Sequence, residues 1–134
     1  MANKIYVNLP VKDLQRSIEF YKVLGFTQNL EFTDDFGAGL VWSENIWVNL
    51  LTQDFFLKFS AGLPIADAHK SAQVLNSLSF DSNAEVDKFV DAGAANGGTL
   101  LPAVVMEGAE GIYIRDIADL DGHIWEAIYQ ETSG

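Results

Sequence analysis

The residues best equipped for chemistry lie in one run, Asp119-Leu120-Asp121-Gly122-His123-Ile124-Trp125-Glu126. Asp and Gly together make a tight turn, because Asp supports turn geometry and Gly supplies positive φ without steric cost. A strand rich in aromatic and β-branched residues is read over 122–129, and Glu126 is its anomaly. A carboxylate within an apolar strand either faces water on a half-exposed strand, or is paired, protonated or bound to a metal. Two histidines complete the titratable inventory of interest. His69 falls in a long connection, the setting of a surface residue. His123 points opposite to Glu126 if the strand is regular, so the pair cannot share a face. The spacing of Asp119, Asp121 and Gly122 matches three places of an EF-hand loop. That reading fails because Ile117 and Ile128 occupy the first and twelfth places, where carboxylates are needed.

Other chemistries are excluded by composition. The chain has no cysteine, so it has no thiolate nucleophile, zinc–thiolate site or disulfide framework. Eight basic against 19 acidic residues give a net charge of −11, which repels phosphate backbones and anionic membranes. No nucleic-acid or membrane partner is therefore expected. The acids are scattered rather than blocked, which suits a solubilising role. No apolar run approaches the roughly 20 residues of a membrane span, and the N-terminal residues lack signal-peptide character, so a cytoplasmic location is expected. A length of 134 residues is that of a single domain with a real core.

The elements that must position Glu126 follow from periodicity. Residues 4–9 alternate Ile5, Val7 and Leu9 against Tyr6 and Asn8, the period of a two-faced strand, which Pro10 is expected to end. Asp13 caps a helix over 14–24 that Gly25 stops. Strands follow at 26–32, 39–42 and 46–52. A connection over 53–73 carries Phe55, Phe56 and Phe59 and no strand, and connections of that length are often functional. Residues 74–80 alternate again, Ser82 to Glu85 forms a capping box, and a helix runs to about Gly97-Gly98. Strands at 99–105, 111–117 and 122–129 complete the chain. The result is β-α-β-β-β twice, and Leu9, Val11 and Asp13 correspond to Leu78, Phe80 and Ser82 at a constant offset of 69.

Three pieces carry a family likeness: residues 7–26 with Asp13-Leu14, Phe20-Tyr21 and Leu24-Gly25-Phe26; the unit over 78–98; and Asp119 to Glu126. In order and spacing they resemble the vicinal oxygen chelate superfamily of glyoxalases, bleomycin resistance proteins and extradiol dioxygenases. The phrases over 7–14 and 121–126 are most similar to a bacterial group labelled lactoylglutathione lyase-like. The resemblance implies an α+β fold of two βαβββ modules, about 4–52 and 74–130, whose curved mixed sheets form a cup with the site inside. It also implies a homodimer.

Metal-dependent members take four ligands from the first and fourth strands of each unit. The matching positions here are Tyr6, Asn49, Leu75 and Glu126, of which Glu126 alone is an ordinary ligand. No cofactor is therefore expected, the alternative being a divalent metal (Zn, Ni, Mn or Fe) on Glu126 in a lyase or dioxygenase. The implied concave face carries Tyr6, Asn8, Trp47, Asn49, Leu75, Ser77 and Glu126: aromatic surface for affinity and sparse polar groups for orientation of a small organic ligand. Glu126 is the candidate general base. The same residues also suit a filled core, with Glu126 bonded to Tyr6 or Asn49. A third class is an interaction module that docks a partner through Phe55, Phe56 and Phe59.

Overall fold

The computed structural model describes residues 3–103, 107–108 and 110–131. It divides into two compact units between residues 67 and 68.

In the first unit, β1 (Ile5–Val11) is followed by α1 (Leu14–Leu24), β2 (Thr27–Thr33), β3 (Gly37–Ser43), β4 (Ile46–Thr52) and the short α2 (Gln53–Leu57). The sheet order is β1-β4-β3-β2, with β1 parallel to β4 and the other pairs antiparallel. The Asp13 carboxylate accepts from the Arg16 amide, and Gly25 at φ +113° turns the chain out of α1. Helix α1 buries Ile18, Phe20, Tyr21 and Leu24. They cover the sheet face built from Leu9, Val11, Leu40, Val48 and Leu50, all buried. Tyr21 is fully enclosed, with Phe20 and Phe26 edge-on to its ring.

Two expectations change here. Pro10 does not end β1; it pairs with Leu51 in register, and the strand runs on to Val11. Strand β1 is an edge, where alternate amides lack a ladder partner, so a residue without N–H fits. Strand β3 also starts two residues earlier than read, because Asp34 accepts from the Phe36 and Gly37 amides and turns the chain sooner. Within the connection, Thr52 caps α2, Phe55 stacks on Phe36, and Phe59 lies edge-on to Phe55.

The second unit contains β5 (Leu75–Phe80), α3 (Asn83–Ala95), β6 (Thr99–Leu100), β7 (Ile112–Ala118) and β8 (Ile124–Gln130), in sheet order β5-β8-β7-β6. Its wiring repeats that of the first: β5 parallel to β8, and β7 antiparallel to both neighbours. Ser82 caps α3 at the Glu85 amide, while Glu85 reaches back to accept from the Asp81 amide. The helix stops at Ala95, before the glycine pair, with Gly97 at φ +102°. Val86, Phe89 and Val90 pack over Leu78, Ile117, Trp125 and Ala127. At the rim of that face Arg115 donates to Asp87 and Asp91, and the Tyr113 hydroxyl donates to Asp87 at 2.6 Å. That hydroxyl and Arg115 hold Asp87 below the usual carboxylate range. The strand read over 99–105 is described only at Thr99–Leu100; residues 104–105 lie outside the described residues. No described helix is long and apolar enough to cross a membrane.

Candidate functional site

In each unit one sheet face packs on its helix and the other carries the polar and aromatic residues singled out above. Alternation places Tyr6 and Asn8, then Trp47 and Asn49, on the uncovered face of the first sheet. The parallel register sets Tyr6 beside Trp47 and Asn8 beside Asn49. The Tyr6 and Trp47 rings lie 5.7 Å apart, Phe32 stands edge-on to Trp47 at the same distance, and Lys4 Nζ sits 5.3 Å over the indole. Trp47 Nε1 donates to the Glu44 carbonyl, which fixes the ring. Asn49 Nδ2 donates to Asn8 Oδ1 at 3.1 Å, and Asn8 Nδ2 donates to the Tyr6 carbonyl.

Opposite Asn49 on β3 stands Gly39. A Cβ there would lie 3.3 Å from Phe32 Cβ and 3.4 Å from the Trp47 ring, so the glycine lets both aromatics lie over the strand. Beside them is a cavity of about 340 Å³ lined by Asn49, Leu51, Phe32, Phe55, Glu31 and Asp34 among others.

The second unit has an equivalent row. Ser77 stands beside Glu126, and Asp116 stands opposite Glu126 on β7, matching Asn8, Asn49 and Gly39 of the first unit. The Ser77 hydroxyl donates to Glu126 Oε1 at 2.8 Å, so Glu126 bonds to its neighbour on β5. Leu75 pairs with Ile124 and is exposed. His123 lies in the turn ahead of β8, where its amide donates to Asp119 Oδ1.

Asp116 escaped the sequence reading. Its Oδ1 is buried and has no hydrogen-bond partner among the described residues. Desolvation first, and the Glu126 charge second, push its carboxyl above the usual range. Between the ordinary aspartate value and the raised native one, the native state therefore keeps a proton that the unfolded chain has already released. The associated stability is fully present below the ordinary aspartate value and is lost as pH rises through the native one. Asp116→Asn removes that loss. It is expected to stabilise the protein near pH ~7 by on the order of 0.5 kcal/mol, discounted because Asp116 keeps part of its surface in water. The gain should vanish near pH ~3, where both side chains are neutral; urea titrations at the two pH values check it.

The metal donor set implied by the resemblance does not fit. Leu75 has no lone pair, and no group of three or more His, Asp or Glu able to hold a metal ion stands together among the described residues. Glu126 is occupied by a hydroxyl donor.

Comparison with known proteins follows the same lines. A sequence profile described as Glyoxalase/Bleomycin resistance protein/Dioxygenase superfamily matches residues 5–127. A hypothetical protein, SA1046 from S. aureus, is 29% identical with a TM-score of 0.78, the match covering 96% of this chain and 95% of that one. A glyoxalase/bleomycin resistance protein/dioxygenase family enzyme from Burkholderia phytofirmans PsJN is 20% identical, TM-score 0.80, covering 97% and 100%. The fosfomycin resistance protein FosX from Mesorhizobium loti is 13% identical, TM-score 0.68, covering 99% and 96%, and shows likeness of fold alone. Comparison with curated proteins gives no match.

Proposed function

Because this chain belongs to the Glyoxalase/Bleomycin resistance protein/Dioxygenase superfamily, we propose that it binds a small organic molecule and does so without a divalent metal. The observation that carries this reading is the cavity of about 340 Å³ against Asn49, walled by Phe32 and Phe55. Its size is that of a small-ligand pocket, and its mixture of flat apolar surface with one amide and the carboxylates of Glu31 and Asp34 is what orients a planar molecule. Tyr6, Trp47 and Asn8 extend the same face. Within the second unit, Leu75, Ser77 and Glu126 are read as that unit's own ligand-facing row, with Glu126 its acidic group. The protein is cast as a cytoplasmic homodimer, and light scattering tests the dimer.

A thermal-shift screen of small aromatic compounds followed by calorimetry tests the reading. Asn49→Leu and Trp47→Ala are each expected to weaken a hit about tenfold, a loss of ~1.4 kcal/mol. A hit bound equally well by both variants overturns the assignment. Metal is measured by mass spectrometry on protein purified without chelator, then soaked in manganese, nickel, zinc and iron(II). Near-stoichiometric metal that is lost in Glu126→Gln would instead establish the lyase or dioxygenase reading.

An enzyme without metal is the second reading, favoured by the row Ser77, Glu126 and Asp116. A hydroxyl and two carboxyls on one open face are the groups of general acid–base chemistry, with Glu126 as base. Glu126→Gln would then abolish turnover of a bound substrate while leaving its affinity nearly unchanged.

A further inference from the structure

We infer that the second unit holds a separate binding site for the anionic group of a small organic molecule, in the cavity between residues 68–72 and the sheet. The cavity is about 280 Å³. Its floor is one cross-strand row: Thr99 pairs with Ala118, and Ala118 with Ile124. Each of these strand positions lies two residues from the row of Asp116 and Glu126, so the floor shares their face and is ~7 Å away. Residues 68–72 form the wall. Gly122 lets this wall come close, because a Cβ there would lie 2.7 Å from both the Ala68 carbonyl carbon and the His69 nitrogen.

The lining is chemically selective. His69, Lys70, Ser71 and Thr99 border the cavity together with Leu101 and Ile124. No aspartate or glutamate lines it, in a chain with 19 acidic residues, whereas Glu31 and Asp34 both line the first unit's cavity. Lys70 supplies a compact positive charge with three donors, and the Thr99 hydroxyl adds a neutral donor to an anion. Leu101 and Ile124 offer apolar surface to a carbon skeleton. The Glu126 carboxylate on the row beyond the floor repels an anion, which keeps the charged head away from that row. The site therefore suits a small organic acid, with carboxylate or phosphonate as head group.

None of these residues belongs to the ligand site proposed above, so the two readings fail separately. Uniformly nitrogen-15-labelled full-length protein is titrated with benzoate, phenylphosphonate and uncharged benzamide while amide resonances are followed. At least one of the two anions is expected to shift residues 68–72, Thr99 and Gly122 saturably, the better one identifying the head group, while benzamide leaves them unmoved. Lys70→Gln should weaken that binding about tenfold and Lys70→Arg should largely restore it. Resonances unmoved by both anions, moved equally by benzamide, or insensitive to Lys70→Gln each overturn the proposal. Shifts confined to Asn8 and Asn49 overturn it too, and leave the first site standing.

Discussion

Gly122→Ala is expected to destabilise the second unit by about 3 kcal/mol or more. Two costs combine. Gly122 has φ +92°, where an alanine is strained by roughly 1 kcal/mol. The added methyl would also lie 2.7 Å from the Ala68 carbonyl carbon, 2.7 Å from the His69 nitrogen and 2.9 Å from the Ala68 carbonyl oxygen. All three are main-chain atoms that no rotamer change can move, so the wall at 68–69 must retreat, at a typical overpacking cost of 1–3 kcal/mol (~2). Gly62→Ala is the control: φ is +80° there but nothing lies within 4 Å of the added carbon, so it carries the conformational cost alone. Urea unfolding of the two variants should separate them by about 2 kcal/mol. Equal losses would mean that the wall at 68–69 yields freely.

Asp119→Ala is expected to cost about 3 kcal/mol through lost hydrogen bonds instead of a clash. Asp119 is 3% exposed, and its Oδ1 accepts from the Asp121 and His123 amides, both at 2.9 Å. Its own amide donates to the His123 carbonyl, and its carbonyl accepts from the Gly122 amide. Removing the carboxylate leaves two turn amides without their acceptor, each costing roughly 1–3 kcal/mol when buried. Asp119→Asn keeps an acceptor oxygen and should lose less than half as much. If alanine and asparagine are equally harmful in denaturant titrations, charge and not the paired acceptance stabilises the turn.

These two residues are where sequence reasoning reached far and then stopped. The turn was legible from Asp and Gly alone, because their backbone preferences act over four residues. So were the helix starts at Asp13 and Ser82, since a cap and its amide are three residues apart. The twofold βαβββ order was legible because alternation and helical period are local signals repeated at one offset. What a glycine lacks a side chain for is not local. Nothing near Gly122 in the chain announces that residues 68–69 press on it. Asp116 was missed for the same reason: alternation puts it on the face of Ile112 and Ile114, but only the β7–β8 register sets it opposite Glu126. Pro10 misled because its effect depends on which strand is an edge, a property of the assembled sheet. Within each unit the structure brings Tyr6 to Trp47, Asn8 to Asn49 and Ser77 to Glu126, while Leu75 meets Ile124.

The parallel pairing of β1 with β4, and of β5 with β8, also sets the order in which the protein can come into being. In both sheets the last-made strand of the four lies in the interior, flanked by the first and the third. Asn8 must wait for Asn49, 41 positions on, and Ser77 for Glu126, 49 positions on. Closing loops of that length is a non-local step that slows folding. At roughly 5–20 residues per second, synthesis leaves β5 with an unpaired edge for several seconds before β8 is made, and β7 for about a second. The first sheet has its full set of strands by residue 52, so it can assemble while the second is still incomplete. Nascent chains halted before residue 124 would then carry a formed first unit and an adhesive, half-built second one. The vulnerable moment of this protein is the interval before its last strand arrives.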